Sequence, residues 1–274
     1  MELSGRTVVI TGGSTGIGAA IAGACAERGA RVLVVARSED ALRAVADRVV
    51  GDHIVADLGE AAGVDGLVDA CLERLGRIDV FVNNAGIETS TSFLATSRAD
   101  VRRVARLNFE ATLLLTHDVL PHMVERGSGH VVQMSSVAGA IPFPGLAAYA
   151  GSKAGITNFS ETLRLELKGT GIGLTVVSPG PTRTAMWDRL ENDERPFAGA
   201  ALQRFRRLGF LPRLAPERIA DATVDAIEHE RRFVRLPRRY AAYHLLSNSP
   251  RRLVEGALVG TTFPKDWDQH GEDG

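Results

Sequence analysis

Short apolar segments rich in β-branched residues alternate with longer segments of helical periodicity through about residue 180. Several of the short segments are apolar on both faces, which is typical of parallel strands that helices cover on each side. The alternation predicts an α/β fold with a doubly wound parallel sheet, helices on both faces and a single domain. The predicted strands are RTVVIT (6–11), RVLVVA (31–36), HIVA (53–56), DVFVN (79–83), HVVQMS (130–135) and GLTVVS (173–178).

The segments between the predicted strands have the length and the periodicity of helices. Helices are predicted at 16–29, 38–50, 61–76, 100–126 and 149–168. No internal repeat or low-complexity segment precedes residue 180, which favours one domain. The core of that domain is expected at 5–184 together with 213–240. A substrate-loop region is expected at 185–212, and a basic C-terminal extension at 230–274.

The composition is that of an ordinary globular protein, with 45% hydrophobic and 24% charged residues. A net charge of −1 gives no indication of nucleic acid as a partner. Cys25 and Cys71 have no CxxC partner, which fits a reducing compartment, and the seven histidines show no metal-ligand spacing. The N-terminus lacks a signal-peptide pattern and no apolar run approaches ~20 residues, so we expect a soluble, cytoplasmic protein without a metal.

A phenol and an amine stand four residues apart in GLAAYAGSKAG, at Tyr149 and Lys153. On a helix this spacing places both side chains on one face. An ammonium beside a phenol favours the phenolate, so we expect the pKa of Tyr149 to lie below its usual value of about 10. Such a group could donate and accept protons near neutral pH. The alternative at this point is an ordinary helix with two surface side chains.

A glycine-rich loop, TGGSTGIG, joins the first predicted strand to a helix. Gly12, Gly16 and Gly18 would let the backbone turn tightly and approach a pyrophosphate, whose charge meets the amides of the helix N-terminus. A tight turn without a ligand explains the glycines equally well, but a position between strand and helix is what a dinucleotide fingerprint requires. The loop therefore predicts a dinucleotide cofactor.

The end of the second predicted strand bears on the choice between NAD and NADP. A carboxylate there would accept hydrogen bonds from the adenosine ribose and repel a 2′-phosphate. The chain has Arg37 instead, whose guanidinium matches a phosphate, and Ser38 adds a hydroxyl donor. NADP(H) is therefore favoured over NAD(H), and an Arg37 that simply points to solvent is the alternative.

Seven short motifs together carry a family resemblance, although each is weak alone. They are TGGSTGIG (11–18), DL (57–58), NNAG (83–86), LN (107–108), SS (135–136), YAGSK (149–153) and PGPTRT (179–184). With these motifs the chain resembles the short-chain dehydrogenases/reductases in their compact single-domain form. The resemblance implies a Rossmann-like fold and an NAD(P)-dependent oxidoreductase.

The resemblance also implies four catalytic residues. Tyr149 would be the general acid/base, and Lys153 would lower its pKa while holding the nicotinamide ribose. Ser136 would hydrogen-bond the substrate oxygen; its neighbour Ser135 is the rival, but the family's spacing to the tyrosine selects Ser136. Asn108 looks like the residue that anchors a water in the proton relay.

Cofactor contacts follow from the same resemblance. Asp57 and Asn84 resemble the adenine and ribose contacts, and Thr184 would contact the nicotinamide amide; a structural role is the alternative for each of the three. The full set of expected cofactor-binding residues is Gly12, Ser14, Thr15, Gly16, Ile17, Gly18, Arg37, Ser38, Asp57, Leu58, Asn84, Ala85, Gly86, Tyr149, Lys153, Pro179, Gly180, Thr182 and Thr184.

The substrate pocket is expected to form from IETSTSF (87–93), AIPFPGL (140–146) and the segment 185–212. Its expected lining is mostly apolar and offers no arginine for a substrate carboxylate: Ile87, Phe93, Ile141, Phe143, Leu146, Met186 and Trp187. We therefore expect an NADP(H)-dependent oxidoreductase that interconverts a secondary alcohol and a ketone on a bulky apolar molecule. The alternative is a dinucleotide-binding regulatory or scaffold protein of the same fold without turnover.

The C-terminal part departs from the family pattern. Residues 230–258 carry seven arginines against two glutamates, and the segment that commonly builds the family's tetramer is absent. A homo-oligomer is still expected, with a dimer through the helices at 100–126 and 149–168 favoured. The basic segment is expected to be a helix packed on the domain with a solvated face, and peripheral contact with an anionic membrane is the alternative.

Overall fold

One seven-stranded parallel sheet organises the protein. The computed structural model describes residues 1–192, 204 and 212–237. The strands lie in the order β3-β2-β1-β4-β5-β6-β7, so the direction of chain progression reverses between β1 and β4. Their bounds are β1 Thr7–Thr11, β2 Arg31–Ala36, β3 Asp52–Val55, β4 Val80–Asn83, β5 Gly129–Met134, β6 Ile172–Pro179 and β7 Phe233–Leu236.

Helices connect the strands by crossovers, as parallel pairing requires. A π-helical segment, Arg106–Glu110, joins α5 to α6, and a short 3-10 turn, Val137–Gly139, follows β5. The described helices are α1 Gly16–Glu27, α2 Glu39–Val49, α3 Ala61–Val64, α4 Leu67–Leu75, α5 Arg98–Ala105, α6 Ala111–Glu125, α7 Ala147–Glu166, α8 Ala185–Asn192 and α9 Pro216–Glu228.

Each face of the sheet buries its own hydrophobic core. Along β1, Val8 and Ile10 pack in one core with α1, α2 and α9, whereas Val9 packs in the other with α4 and α6. This division follows from the alternation of side chains along a strand. Burying a Val, Leu or Ile side chain contributes about 1.5–3 kcal/mol, so both faces stabilise the fold. The two-sided apolar strands of the sequence are thereby explained.

The six predicted strands are confirmed, and β7 is an addition to them. Phe233 and Val234 pair with Val176 and Val177 of β6. The structure shows a strand where a helix was expected: Val234 and Leu236 enter the core with α1 and α9, whereas Phe233 packs against a smaller apolar cluster around Val176. The guanidinium of Arg235 stacks on the Phe233 ring at 4.0 Å. The rest of the basic extension, 238–274, lies outside the described residues.

Both cysteines are buried and unpaired, at Cys25 in α1 and Cys71 in α4. Desolvation raises the pKa of each thiol to about 12. A buried thiol that stays protonated is a poor nucleophile, so both act as small apolar side chains. Within the described ranges, histidines, cysteines and carboxylates form no cluster of three suited to a metal, and the helices include none long and apolar enough to cross a bilayer.

His130 is a buried histidine that links β5 to β6. Its Nε2 lies 2.8 Å from Thr175 Oγ1, and that hydroxyl donates its own proton to the Arg231 carbonyl at 2.6 Å. Nε2 therefore carries the imidazole hydrogen, while Nδ1 faces the backbone of Gly173 closely. Desolvation, together with the charge of the N-terminus, lowers the pKa of His130 to about 4. The neutral ring is the form that fits.

Acidification should therefore weaken the fold through His130. A lowered histidine pKa contributes stability that is present above the unfolded value of 6.5 and is lost as the pH falls toward 4. We expect the free energy of unfolding of the parent to fall by about 3 kcal/mol more than that of His130→Gln between pH 7 and pH 4. Urea titrations at each pH measure this difference, and parallel pH profiles would contradict the assignment.

Candidate active site

A cleft of about 600 Å³ opens at the carboxyl ends of the strands, across the point where the strand order reverses. This is where doubly wound sheets bind ligands. All but two of the expected cofactor-binding residues line it: Gly12, Ser14, Thr15, Gly16, Ile17, Gly18, Arg37, Ser38, Asp57, Leu58, Asn84, Ala85, Gly86, Tyr149, Lys153, Pro179 and Thr184. Residues that are far apart in the sequence thus meet in one cleft.

The glycine loop forms a close-fitting cradle at the start of α1. Gly12 and Gly16 have φ values of 64° and 57°, which favour glycine. A Cβ on Gly12 would lie 2.8 Å from the Ala85 Cα, and a Cβ on Gly18 would collide with the Gly12 carbonyl. Larger residues are therefore excluded by the backbone itself. Amides at a helix N-terminus behind such a loop suit a pyrophosphate, so the residues present fit a dinucleotide.

Asn84 holds this loop in place. Its Nδ2 donates to the carbonyls of Thr11 and Gly12 at 3.0 and 3.1 Å. The Thr11 hydroxyl in turn accepts the backbone N–H groups of Asn84 and Ala85 at 3.0 and 3.1 Å. These bonds join the end of β1 to the segment after β4. Asn84 therefore has a structural role, which was the alternative to a cofactor contact: its Nδ2 holds the glycine loop. This role leaves its Oδ1 for another contact.

Arg37 and Asp57 lie together on the side of the cleft formed by β2 and β3. Nη1 of Arg37 is 3.7 Å from Oδ2 of Asp57, and both side chains are about half exposed. Ser38, the next residue, caps the N-terminus of α2 by position and lines the same cleft. Arg37 is thus part of the cleft wall. An ion pair so exposed contributes little to stability and leaves the guanidinium available to an anion.

Tyr149 and Lys153 meet at the other end of the cleft, on one face of α7. The Lys153 Nζ lies 5.8 Å from the centroid of the Tyr149 ring and donates to the Met134 carbonyl at 2.8 Å. A Cβ on Gly86 would lie 3.4 Å from this Nζ and 3.3 Å from Asn108 Oδ1. The spacing of four thus puts the phenol and the ammonium side by side, and glycine at position 86 keeps the space between them and Asn108 open.

The pKa values of this pair differ from the expectation. Desolvation raises the pKa of Tyr149, a hydrogen bond with Ser136 lowers it in part, and the charge of Glu88 raises it further. Desolvation also lowers the pKa of Lys153 to about 8. The prediction of a Tyr149 pKa below its usual value is therefore wrong for this structure. The physical reason is burial, which the spacing of four residues does not reveal.

Ser136 and Ser135 take different positions at the end of β5. Ser135 is buried, and its hydroxyl donates to the Lys153 carbonyl at 2.9 Å and lies 2.8 Å from the Thr157 hydroxyl. Ser136 accepts the Ala138 N–H at 3.1 Å and hydrogen-bonds Tyr149. Ser135 thereby ties the strand to α7, while Ser136 faces the phenol. The alternation of side chains along the chain separates the two neighbours.

Asn108 occupies the middle of the π-helical segment, a type of irregularity that often marks functional sites. Its Oδ1 accepts the Ile87 N–H and its Nδ2 donates to the Ile87 carbonyl, both at 2.8 Å. Nδ2 also donates to Ser152 Oγ at 3.2 Å, which donates to the Tyr149 carbonyl at 2.7 Å. Asn108 thus connects the segment after β4 to the helix that carries Tyr149.

A second pocket, of about 110 Å³, adjoins the first. Tyr149 and Ser136 lie in its wall with five of the expected apolar residues, Ile141, Phe143, Leu146, Met186 and Trp187. Ile87 lines the larger cleft instead. Phe93 lies outside both of these pockets: it is 58% exposed, in a turn that Thr96 closes by bonds to Ser92 and Thr91. Most of the predicted lining is therefore present.

Gly180 and Thr182 are the two expected cofactor residues that line this second pocket rather than the cleft. The Gly180 N–H donates to the Leu236 carbonyl at 2.7 Å, and Thr182 Oγ1 donates to the Gly180 carbonyl at 2.9 Å. The bond to Leu236 ties this segment to the end of β7. Because β7 was not predicted, its effect on the segment could not be predicted either.

Glu88 is a charged residue of the small pocket that the sequence motifs did not indicate. It lies in the IETSTSF segment, whose apolar residues are predicted to line the substrate pocket. The position of Glu88 in the sequence indicates that it lies near the site. A carboxylate two residues after the NNAG motif lies beyond the end of a strand that leads into the site.

Comparisons with known proteins agree with this geometry. The model of the short chain dehydrogenase family matches residues 6–195. The ketoacyl reductase HetN of Nostoc sp. is 34% identical over 234 residues, which cover 83% of this chain and 77% of HetN. The glycine betaine reductase ATRR of Emericella nidulans is 34% identical over 230 residues, which cover 82% of this chain but 18% of ATRR. The chain thus spans less than a fifth of that longer relative.

Solved structures share the fold over nearly the whole length. A short-chain dehydrogenase from Sphingobium yanoikuyae in complex with NADPH superposes with a TM-score of 0.77 at 28% identity, covering 95% of this chain and 99% of that one. A short chain dehydrogenase/reductase from Burkholderia phymatum in complex with NAD gives 0.78 at 27% identity, covering 89% and 94%. With its cleft, its glycine cradle and these matches, the chain belongs to the short-chain dehydrogenase/reductase family and is an NAD(P)-dependent oxidoreductase.

Proposed function

We propose that this enzyme interconverts an apolar secondary alcohol and its ketone and prefers NADP(H) to NAD(H). The observation that carries the proposal is the position of Tyr149, which lines both the dinucleotide cleft and the apolar pocket. A nicotinamide cofactor, when bound, supplies or accepts a hydride. A proton must move at the same carbon–oxygen bond, and Tyr149 is the titratable side chain that reaches both spaces.

In the proposed mechanism, the Tyr149 hydroxyl donates its proton to the ketone oxygen during reduction and accepts the alcohol proton during oxidation. Ser136 hydrogen-bonds the same oxygen and stabilises the negative charge that develops on it. The Lys153 ammonium favours the Tyr149 phenolate and holds the ribose nearest the reacting ring. Asn108 is linked to the Tyr149 carbonyl through Ser152, and in this mechanism it would hold a water of the proton relay.

The rest of the cleft would hold the remainder of the dinucleotide. The cradle at Gly12–Gly18 and the N-terminus of α1 would bind the pyrophosphate. Asp57 and the Asn84 Oδ1 would bind the adenine and its ribose. Thr184 packs beside the Gly16 backbone at the start of α8 and would bind the carboxamide of the nicotinamide. Each of these groups lines the cleft described above.

Arg37 supports the preference for NADP(H). It is the guanidinium in the cleft wall between β2 and β3, and it pairs with Asp57 only at 3.7 Å. Charge-assisted hydrogen bonds to a 2′-phosphate would add about 1.5–3 kcal/mol of binding free energy. Asp57 would repel the same phosphate, so Arg37 must outweigh it.

Exchange of Arg37 for aspartate should reverse the cofactor preference. The change removes the guanidinium and adds a carboxylate beside Asp57, so the Kd for NADPH should rise at least tenfold while the Kd for NADH changes little. Fluorescence titration with each cofactor measures both values. Arg43→Asp is the matched control, since Arg43 is exposed on α2 and pairs with Glu39. Equal affinities of the parent for both cofactors would contradict the preference.

The substrate proposal rests on the side chains of the small pocket. Ile141, Phe143, Met186 and Trp187 offer an apolar surface to the carbon skeleton, while the hydroxyls of Ser136 and Tyr149 meet the oxygen. A bulky skeleton of the expected steroid-like, aromatic or lipid-like kind would extend outside the 110 Å³ of this pocket. Turnover of a panel of ketones and alcohols, followed by nicotinamide absorbance, tests the proposal; failure with every apolar member would contradict it.

We further propose a homodimer through the long helices. Leu114 and Val124 of α6 and Leu165 of α7 are large apolar side chains that remain exposed in the single chain. Covering such residues is a common role of oligomer interfaces. Contact of the basic extension with an anionic membrane stays the alternative to a packed helix, because its residues from 238 onward lie outside the described ranges.

A further inference from the structure

Lys153 is bonded to the end of β5 at two consecutive residues. Its Nζ donates to the Met134 carbonyl at 2.8 Å, and its own carbonyl accepts a hydrogen bond from the Ser135 hydroxyl at 2.9 Å. The first bond holds the side chain of the lysine, and the second holds its main chain. One strand end therefore fixes both the ammonium and the backbone from which it extends.

A second hydroxyl meets the same carbonyl. Thr157 Oγ1, one turn further along α7, donates to the Lys153 carbonyl at 3.1 Å and lies 2.8 Å from Ser135 Oγ. Ser135 and Lys153 are 1% and 4% exposed. Because polar groups that lose a partner in a buried site find no water to replace it, this group of two hydroxyls and one carbonyl resists separation.

The surroundings of this group are also fixed. The Ser135 N–H donates to the Val177 carbonyl of β6 at 2.8 Å, which anchors the serine in the sheet. A Cβ on Gly139, in the turn after β5, would lie 2.9 Å from the Lys153 carbonyl carbon and from the Ala154 nitrogen. Close packing at Gly139 therefore opposes an approach of α7 to this turn, and the Ser135 bond opposes its separation from β5.

We propose that Ser135 and Thr157 are positioning residues, which hold the Lys153 carbonyl at the end of β5 and thereby keep the lysine ammonium in register with Tyr149 and the cofactor ribose. The Lys153 Nζ lies 5.8 Å from the centroid of the Tyr149 ring, and its effect on the phenolate decreases with distance. The inference rests on the proposed alcohol–ketone mechanism and adds to it two residues that lie outside the wall of the small pocket.

Removal of either hydroxyl tests this role. In Ser135→Ala and in Thr157→Val we expect kcat to fall about 3- to 10-fold while KM for a ketone stays within about twofold, because the substrate pocket is untouched. The Kd for NADPH should rise about threefold, since a less firmly held ammonium binds the ribose less well. Thr157→Ser keeps the hydroxyl and should restore both values. Steady-state kinetics and fluorescence titration measure them.

The pH profile distinguishes positioning from packing. In the proposed mechanism the Lys153 ammonium favours the Tyr149 phenolate, whereas the charge of Glu88, from the segment after β4, raises the pKa of that phenol. A displaced ammonium favours the phenolate less, so the rise of alcohol oxidation with pH should move to higher pH in Ser135→Ala and Thr157→Val. A loss of packing alone would leave the profile in place.

Ser160→Ala is the matched control. Ser160 is a fully buried serine of the same helix, and its Oγ donates to the Ile156 carbonyl at 2.6 Å, so the described bond stays within α7. The substitution removes the same chemical group as Ser135→Ala. It should lower the midpoint of urea unfolding in a similar way without changing the pH profile or the Kd for NADPH.

The outcomes separate the two proposals. A shifted pH profile or a weaker affinity for NADPH in Ser135→Ala and Thr157→Val, absent from Ser160→Ala and Thr157→Ser, supports the positioning role. Variants that lose stability alone, as the control does, overturn it. Turnover of none of the ketones by the parent would overturn the proposed function. The NADPH affinities would then still decide the role of the two hydroxyls, since equal Kd values in parent and variants would overturn it.

Discussion

Tyr149→Phe should lower kcat by about 10²–10⁴-fold while the affinity for the dinucleotide stays within a few-fold of the parent value. The change keeps the ring and its packing but deletes the hydroxyl that hydrogen-bonds Ser136 and faces the apolar pocket. Loss of a donor to the substrate oxygen adds to the deficit. Steady-state kinetics with a ketone turned over by the parent measure kcat, and fluorescence titration measures the cofactor Kd.

A control keeps this result interpretable. Tyr149→Phe should unfold at the same urea concentration as the parent to within a small shift, because a phenylalanine ring fills the same space. A variant with kcat near that of the parent would show that proton transfer uses another group. A variant that has lost both turnover and cofactor binding would instead assign Tyr149 to the shape of the cleft.

Lys153→Met should cause a loss of similar size in kcat and, unlike the tyrosine variant, weaken the dinucleotide at least tenfold. Methionine keeps a flexible apolar stem but removes the ammonium, which is buried and donates to the Met134 carbonyl. A carbonyl left without its donor costs about 1–3 kcal/mol. The ribose would lose its contact with Nζ, and the phenolate would lose its neighbouring cation.

The pH profile distinguishes the electrostatic role of Lys153 from a packing role. Burial raises the pKa of Tyr149 and lowers that of Lys153 to about 8, so any stabilisation of the phenolate by the ammonium acts against the desolvation of both groups. Alcohol oxidation by the parent should rise with pH as the phenolate forms. In Lys153→Met this rise should move to higher pH, since no cation favours the phenolate. An unshifted profile would contradict the electrostatic role.

The sequence predicted those strands and helices whose hydrophobic pattern can be recognised within the element itself. Several of the first six strands are apolar on both faces, and that pattern needs no partner to be recognised. The seventh strand, Phe233–Leu236, lies between arginines, and its apolar alternation spans only four residues. Only pairing with β6 makes it a strand. Edge strands of this kind depend on a neighbour that the local sequence does not contain.

The residues of the site followed from the sequence better than their properties did. The spacing of Tyr149 and Lys153 was sufficient to place them together on α7. The direction of the Tyr149 pKa shift was not accessible, because it is set by burial and by Glu88 from another segment. The tie between Asn84 and the glycine loop likewise depends on the pairing of β1 with β4. The pKa shifts and hydrogen bonds that depend on contacts between different elements could therefore be described only from the structure.

Thr11 lies where two neighbouring parallel strands, β1 and β4, separate, and its side chain provides hydrogen bonds for backbone groups that would otherwise lose their partners. The ladder between β1 and β4 ends at Ile10 and Val82, and beyond it the strands diverge around the cleft. Beyond that point the Thr11 hydroxyl replaces the backbone hydrogen bonds between the strands. Its Oγ1 accepts the N–H groups of Asn84 and Ala85 and donates to the Val82 carbonyl at 3.3 Å. These bonds hold the two chain segments together where the opening between the strands begins. Hydrogen bonds within the protein therefore set the point at which the crevice begins.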